Sequence, residues 1–155
     1  MKDVSERDLQ VNIPLAARRP DRQRTTVRLG NVEIGGDAVV VIAGPCAVES
    51  EAQVVEIAHR VKAAGARMLR GGAFKPLTFP YRSETMFELR EKGLQFLARA
   101  GRETGLPVVT EVMDPRLVET VARYADMLQV GARSMQNFPL LEEVARAGKP
   151  VLLKR

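Results

Sequence analysis

The chain has 155 residues, 45% hydrophobic and 28% charged, which suits one soluble domain with a core of its own. Its net charge is +5, yet five Phe, two Tyr and no Trp leave a stacking platform for nucleic acid poorly supported, so the charge fits anionic small substrates at least as well. One cysteine excludes an internal disulfide framework, no apolar run is long enough to span a membrane, and Met1–Glu6 has no apolar signal core; the expected setting is cytoplasmic, away from nucleic acid and membrane.

In chain order, residues 1–25 are polar and irregular, with Pro14, Pro20 and a basic cluster from Arg18 to Arg24; they read as an arm or linker. Thr26–Leu29 and Val32–Ile34 alternate around Gly30-Asn31, a short hairpin signal. From there a domain over 26–155 repeats one plan. Val39-Val40-Val41-Ile42-Ala43 is a β-branched run of the kind buried on both faces, ending at Gly44-Pro45-Cys46. A helix over 50–64 follows, with Val54, Ile57, Ala58 and Val61 on one stripe and Gly65 as its stop. Ala66–Leu69 is a second strand, which enters Arg70-Gly71-Gly72-Ala73-Phe74-Lys75-Pro76. A helix over about 84–104 carries Met86, Leu89, Leu94, Leu97 and Ala98. Leu106–Glu111 is a third strand, and Asp114-Pro115 opens a helix with a cap and a first-turn proline. Met127–Gly131 is a fourth strand, a short helix carries Leu140, Leu141, Val144 and Ala145, and Pro150–Lys154 is a fifth strand.

Strand–helix repeated four times plus a fifth strand predicts a parallel sheet. Every strand delivers a polar group at its carboxyl end: Cys46, Arg70, Glu111, Arg133 and Lys154. An open doubly wound sheet gathers its ligand groups near one switch point; contributions from every strand suit a (β/α)8 barrel, whose active site lies on that face. Barrels take about 250 residues. The expectation is therefore the first five strands and four helices of a barrel, either the front of a longer protein or a piece that assembles with another copy. Arg70 and Lys75 bracket two glycines, so charges and bare backbone N–H groups are expected to face one small anion. Cys46 is either a thiolate metal ligand or a small buried hydrophobe. Glu111 either orients a lysine or water or forms a structural ion pair. His59, off the apolar stripe, reads as an exposed helical residue.

Five segments in order carry a resemblance: Ile42–Ser50, Leu69–Pro76, Val109–Asp114, Gln129–Arg133 and Pro150–Arg155. They resemble 3-deoxy-D-arabino-heptulosonate 7-phosphate synthase, type I-beta. The resemblance implies a transferase that condenses phosphoenolpyruvate with erythrose 4-phosphate, opening the shikimate pathway to aromatic amino acids; the uncovered edge strands and apolar helix faces of a partial barrel add the expectation of a homo-oligomer. The resemblance also implies Arg70, Lys75, Ala132, Arg133 and Lys154 around phosphoenolpyruvate, Lys75 and Glu111 as catalytic groups, and Cys46 as ligand to a divalent metal (Mn, Fe, Co or Zn). The other metal ligands are expected from strands this chain does not include, so little or no catalysis is expected from these 155 residues alone. Leu77 stands where the family usually has an arginine that grips the second substrate's phosphate. Arg82, with Thr78, is the expected replacement; a different aldehyde or phosphosugar substrate, or a non-catalytic anion-binding half-barrel, are the alternatives. A sister family, the 3-deoxy-D-manno-octulosonate 8-phosphate synthases, shares the barrel but carries a different second-strand motif.

Overall fold

The computed structural model describes residues 17, 18, 20, 21, 24–74 and 88–155. The chain divides into two compact units, with the boundary after Val39. In the first, β1 (Val27–Leu29) and β2 (Val32–Ile34) form the expected antiparallel hairpin. Gly30 turns it at φ 56°, and Arg28 Nε donates to Glu33 Oε2 across the pair at 2.9 Å.

The second unit is a five-stranded sheet with helices. Its strands are β3 (Ile42–Ala43), β4 (Met68–Arg70), β5 (Val108–Glu111), β6 (Met127–Val130) and β7 (Val151–Leu153). They lie in sequence order and every pair is parallel. Among the described residues no strand order reverses, and so no switch point of the doubly wound kind is present there; five consecutive units of a (β/α)8 barrel have this order.

Among the described residues, four helices alternate with the strands: α1 (Glu51–Ala63), α2 (Arg90–Thr104), α3 (Val118–Tyr124) and α4 (Phe138–Arg146). Ser50 caps α1 by accepting from the Gln53 amide at 3.1 Å, and the Gln53 side chain accepts from the Glu49 amide at 3.1 Å, a reciprocal arrangement close to a capping box. Asp114 caps a 3-10 turn (Pro115–Leu117) that leads into α3, and Asn137 caps α4. The helices and one face of the sheet enclose a single core that includes Val54, Ala58, Leu69, Leu94, Leu97, Val108, Leu128, Leu140 and Val144. Strand alternation turns Met68, Val109 and Met127, all buried, to the opposite face.

Two expectations need correction. The run Val39–Val41 is not buried on both faces: Val39 is 89% and Val41 49% exposed. Only Ile42 and Ala43 pair as strand, and β3 has one neighbour, at the edge of the sheet. The helix expected from residue 84 begins at Arg90. Glu88 and Leu89 are not helical, and Arg90 itself has φ 50°, a left-handed conformation that a helix cannot run through; residues 84–87 lie outside the described residues.

Candidate functional site

The parallel strands put all their carboxyl ends on one edge of the sheet. At that edge β3 runs into Gly44, whose φ is 151°. A Cβ there would lie 1.9 Å from the Arg70 carbonyl oxygen, so only glycine lets the β3 turn approach β4 this closely. The turn then aims two carbonyls at the Arg70 side chain: Nη1 donates to Pro45 O at 3.3 Å and to Cys46 O at 3.2 Å.

Two further strands complete the setting. Glu111 ends β5 directly across from Gln129 of β6. Gln129 Nε2 donates to Glu111 Oε2 at 3.1 Å, and Arg70 Nε donates to Gln129 Oε1 at 3.4 Å. Arg70 Nη2 stands 3.9 Å from Glu111 Oε2, an ion pair beyond direct hydrogen-bonding distance. The other carboxylate oxygen sits over Gly131, where a Cβ would come within 2.1 Å of Oε1. Glu111 and Gln129 are buried, and the Arg70 side chain is about one-fifth exposed. Among the described residues Nη2 makes no hydrogen bond, so part of the guanidinium fork is open to an incoming acceptor.

The expected site residues fall into three groups. Arg70, Glu111 and the backbone of Cys46 are brought together. Ala132 and Arg133 form the 3-10 turn (Ala132–Ser134) after β6, and Lys154 follows β7 with its amide donating to Val130 O at 3.0 Å. All three are exposed on the same edge, and among the described residues the two cations make no side-chain hydrogen bond or ion pair. Lys75, Thr78 and Arg82, with Leu77, lie outside the described residues. His59 is an exposed helical residue.

The expectation of bare N–H groups at the double glycine is corrected at Gly71. Its amide donates to Val109 O at 3.2 Å, extending the sheet. A Cβ on Gly71 would lie 2.6 Å from Leu97 Cδ2; this glycine lets α2 close over the strand end. Gln129 is the residue that sequence reasoning missed. Its signal is visible afterwards: one long polar side chain inside the apolar run Met127-Leu128-Gln129-Val130, only 2% exposed, requires a polar partner.

A cavity of about 410 Å³ is lined by residues that include Phe74, Glu88, Arg90, Val112, Asp114 and Arg116. Neither Arg70 nor Glu111 lines it. Arg116 chelates Asp114 through its side chain and its amide, and these hydrogen bonds hold the Asp114 carboxyl down at about 2.

The Cys46 side chain is exposed. Among the described residues no group of three or more His, Cys, Asp or Glu side chains gathers to hold a metal ion. A divalent ion takes four or more donors, so these residues do not by themselves make the metal site that the resemblance implies. Among the described residues no helix is long and apolar enough to cross a membrane.

A sequential parallel sheet with its polar groups at the strand ends defines a barrel-type α/β protein. Residues 12–155 match the model of the DAHP synthetase I family, and the chain belongs to that family. It is 44% identical over 141 residues to the phospho-2-dehydro-3-deoxyheptonate aldolase of Thermotoga maritima, covering 91% of this chain and 41% of that protein. It is 32% identical to a 2-dehydro-3-deoxyphosphooctonate aldolase of Syntrophotalea carbinolica, covering 84% of this chain and 49% of that one. The crystal structure of the Thermotoga DAHP synthase superposes with a TM-score of 0.76 at 45% identity, over 84% of this chain and 37% of that chain. A truncated form of the Thermotoga synthase gives 0.73 at 43% identity, over 84% and 45%. The chain thus spans about two-fifths to one-half of the length of these curated relatives.

Proposed function

We propose that this chain carries the phosphoenolpyruvate-binding part of a 3-deoxy-D-arabino-heptulosonate 7-phosphate synthase, which condenses phosphoenolpyruvate with erythrose 4-phosphate and releases phosphate. The observation that carries the reading is the Arg70 guanidinium at the strand end, held by the Pro45 and Cys46 carbonyls and by Gln129, with Nη2 3.9 Å from Glu111 Oε2 and making no hydrogen bond among the described residues. Such a fork suits the planar carboxylate of phosphoenolpyruvate. Arg133 and Lys154 then take its phosphate, with the Ala132 amide, and stabilise the phosphate as it leaves. Lys75 polarises or protonates the aldehyde oxygen, Thr78 and Arg82 hold the second substrate's phosphate, and Glu111 orients Lys75 or a water. A divalent metal with Cys46 as one ligand belongs to the proposal, but the described residues do not complete its coordination, and the roles given to these side chains do not pass through it. The chemistry is a C–C bond between the enol carbon and the aldehyde carbon, water added at the neighbouring carbon, and loss of phosphate from it; positioning and charge are what these residues contribute.

The test is phosphate release from phosphoenolpyruvate with aldehydes of different length, using the 155-residue chain and any longer polypeptide its gene encodes. Phosphoenolpyruvate adds three carbons, so a heptulosonate needs a four-carbon aldehyde and an octulosonate a five-carbon one. Release that depends on erythrose 4-phosphate and is lost in Lys75→Ala is the expected result. Release only with a five-carbon phosphosugar would move the chain to the octulosonate reaction, and no release from any form would contradict the proposal.

A further inference from the structure

We infer that Gln129 is a positioning residue that keeps the Glu111 carboxylate from capturing Arg70, and so keeps the guanidinium open to an anionic ligand. The inference rests on the reading of this edge as a phosphoenolpyruvate site.

The geometry around Gln129 is that of a spacer. Its amide is oriented by opposite charges. The cation at Arg70 Nε takes the carbonyl end at 3.4 Å, and the Glu111 carboxylate takes the NH2 end at 3.1 Å. With that donor in place, Glu111 Oε2 stays 3.9 Å from Arg70 Nη2. Gly131 seats the other oxygen, since any Cβ there would collide with Oε1 at 2.1 Å. A carboxylate this buried needs hydrogen-bond donors. If Gln129 no longer donates, the nearest alternative is the guanidinium, and a bidentate Arg–carboxylate pair is the favoured geometry between them. That pair would occupy the Nη2 face. The amide thus meets the carboxylate's need with a neutral donor and leaves the cation to the ligand.

The prediction is specific to one end of the ligand. Arg70 faces the carboxylate, whereas Arg133 and Lys154 face the phosphate. Phosphoenolpyruvate and inorganic phosphate are therefore titrated calorimetrically into the wild-type chain, Gln129→Met, Glu111→Gln and the double variant. Methionine keeps the length and bulk of glutamine and removes both hydrogen bonds. Gln129→Met is expected to weaken phosphoenolpyruvate about tenfold while inorganic phosphate changes less than about twofold, as loss of one charge-assisted contact at one end implies. Adding Glu111→Gln removes the competing charge and should return phosphoenolpyruvate affinity to within about threefold of wild type, the coupling signature of a cycle between neighbours. A general loss of packing would weaken both ligands and would not be rescued. Equal weakening of both ligands, unchanged phosphoenolpyruvate affinity in Gln129→Met, or no rescue in the double variant would each overturn the positioning role while leaving the function reading intact. No phosphoenolpyruvate binding by the wild type would overturn both. Should Gln129→Met not fold, Gln129→Asn keeps the polar amide but is too short to reach both partners, and it carries the same expectations.

Discussion

Arg70 was legible from sequence as a cation at a strand end, because the apolar run before it and the glycines after it fix its place. Its neighbours were not. Glu111 was open between two roles, and the structure pairs it with Arg70 and Gln129. Gln129 escaped notice because a single polar residue in an apolar strand has no partner in one-dimensional sequence; its partners lie on two other strands, 59 and 18 residues away. Gly44 carries the most direct residue-scale prediction. Gly44→Ala places a Cβ against the Arg70 carbonyl and forces an alanine into a glycine conformation. It is expected to lower unfolding free energy by about 3 kcal/mol or more, measured by urea denaturation. Stability equal to wild type would show that the β3 turn has room to move away.

Asp114 gives a prediction with a sign. Folding lowers its carboxyl from 3.8 to about 2 through the hydrogen bonds from Arg116. A depressed folded value stabilises the fold above the unfolded value, and that contribution disappears as pH falls through the folded one. Wild type should therefore melt higher than Asp114→Asn at neutral pH, and the gap should close between about pH 4 and pH 2. A gap that persists unchanged at pH 2 would mean the asparagine acts through something other than charge. Asp114 is part-exposed and its partner Arg116 is exposed, so the gap is expected to be small and to shrink in salt.

At the scale of elements, the cap and apolar stripe located α1 to within a residue of its observed bounds, and the stripe Leu140, Leu141, Val144 and Ala145 falls inside α4, because these are local signals. The start of α2 was missed because it depends on the conformation of Arg90, which no stripe reveals. Burial of β3 was overestimated because a β-branched run reports strand propensity, while burial depends on how many neighbours the strand has. Leu97 shows where element packing matters for the site: it is fully buried and rests on the strand end at Gly71. Leu97→Ala is expected to cost about 3 kcal/mol, seen as a lower denaturation midpoint with an unchanged slope. A loss below about 1 kcal/mol would mean that the helix collapses into the space with little cavity left.

For the molecule as a whole, the order of the strands was legible because consecutive βα units leave few alternatives. The sheet has an edge at β3 and another at β7, where Val151 and Leu153 are 41% and 47% exposed. Exposed apolar edge strands invite pairing with another chain. The 155-residue chain is expected to associate as its concentration rises, and Val151→Lys with Leu153→Lys should shift it toward monomer. Sedimentation showing a monomer at all concentrations would contradict this.

The central claim is that cations at the strand ends of this sheet share one phosphoenolpyruvate molecule. It is tested most directly by calorimetric titration of phosphoenolpyruvate into wild type, Arg70→Ala and Arg133→Ala, with thermal melts confirming that each variant folds. Saturable one-site binding to wild type, weakened roughly ten- to hundredfold in each variant, is the predicted result. Binding that survives both substitutions at full strength would contradict the account.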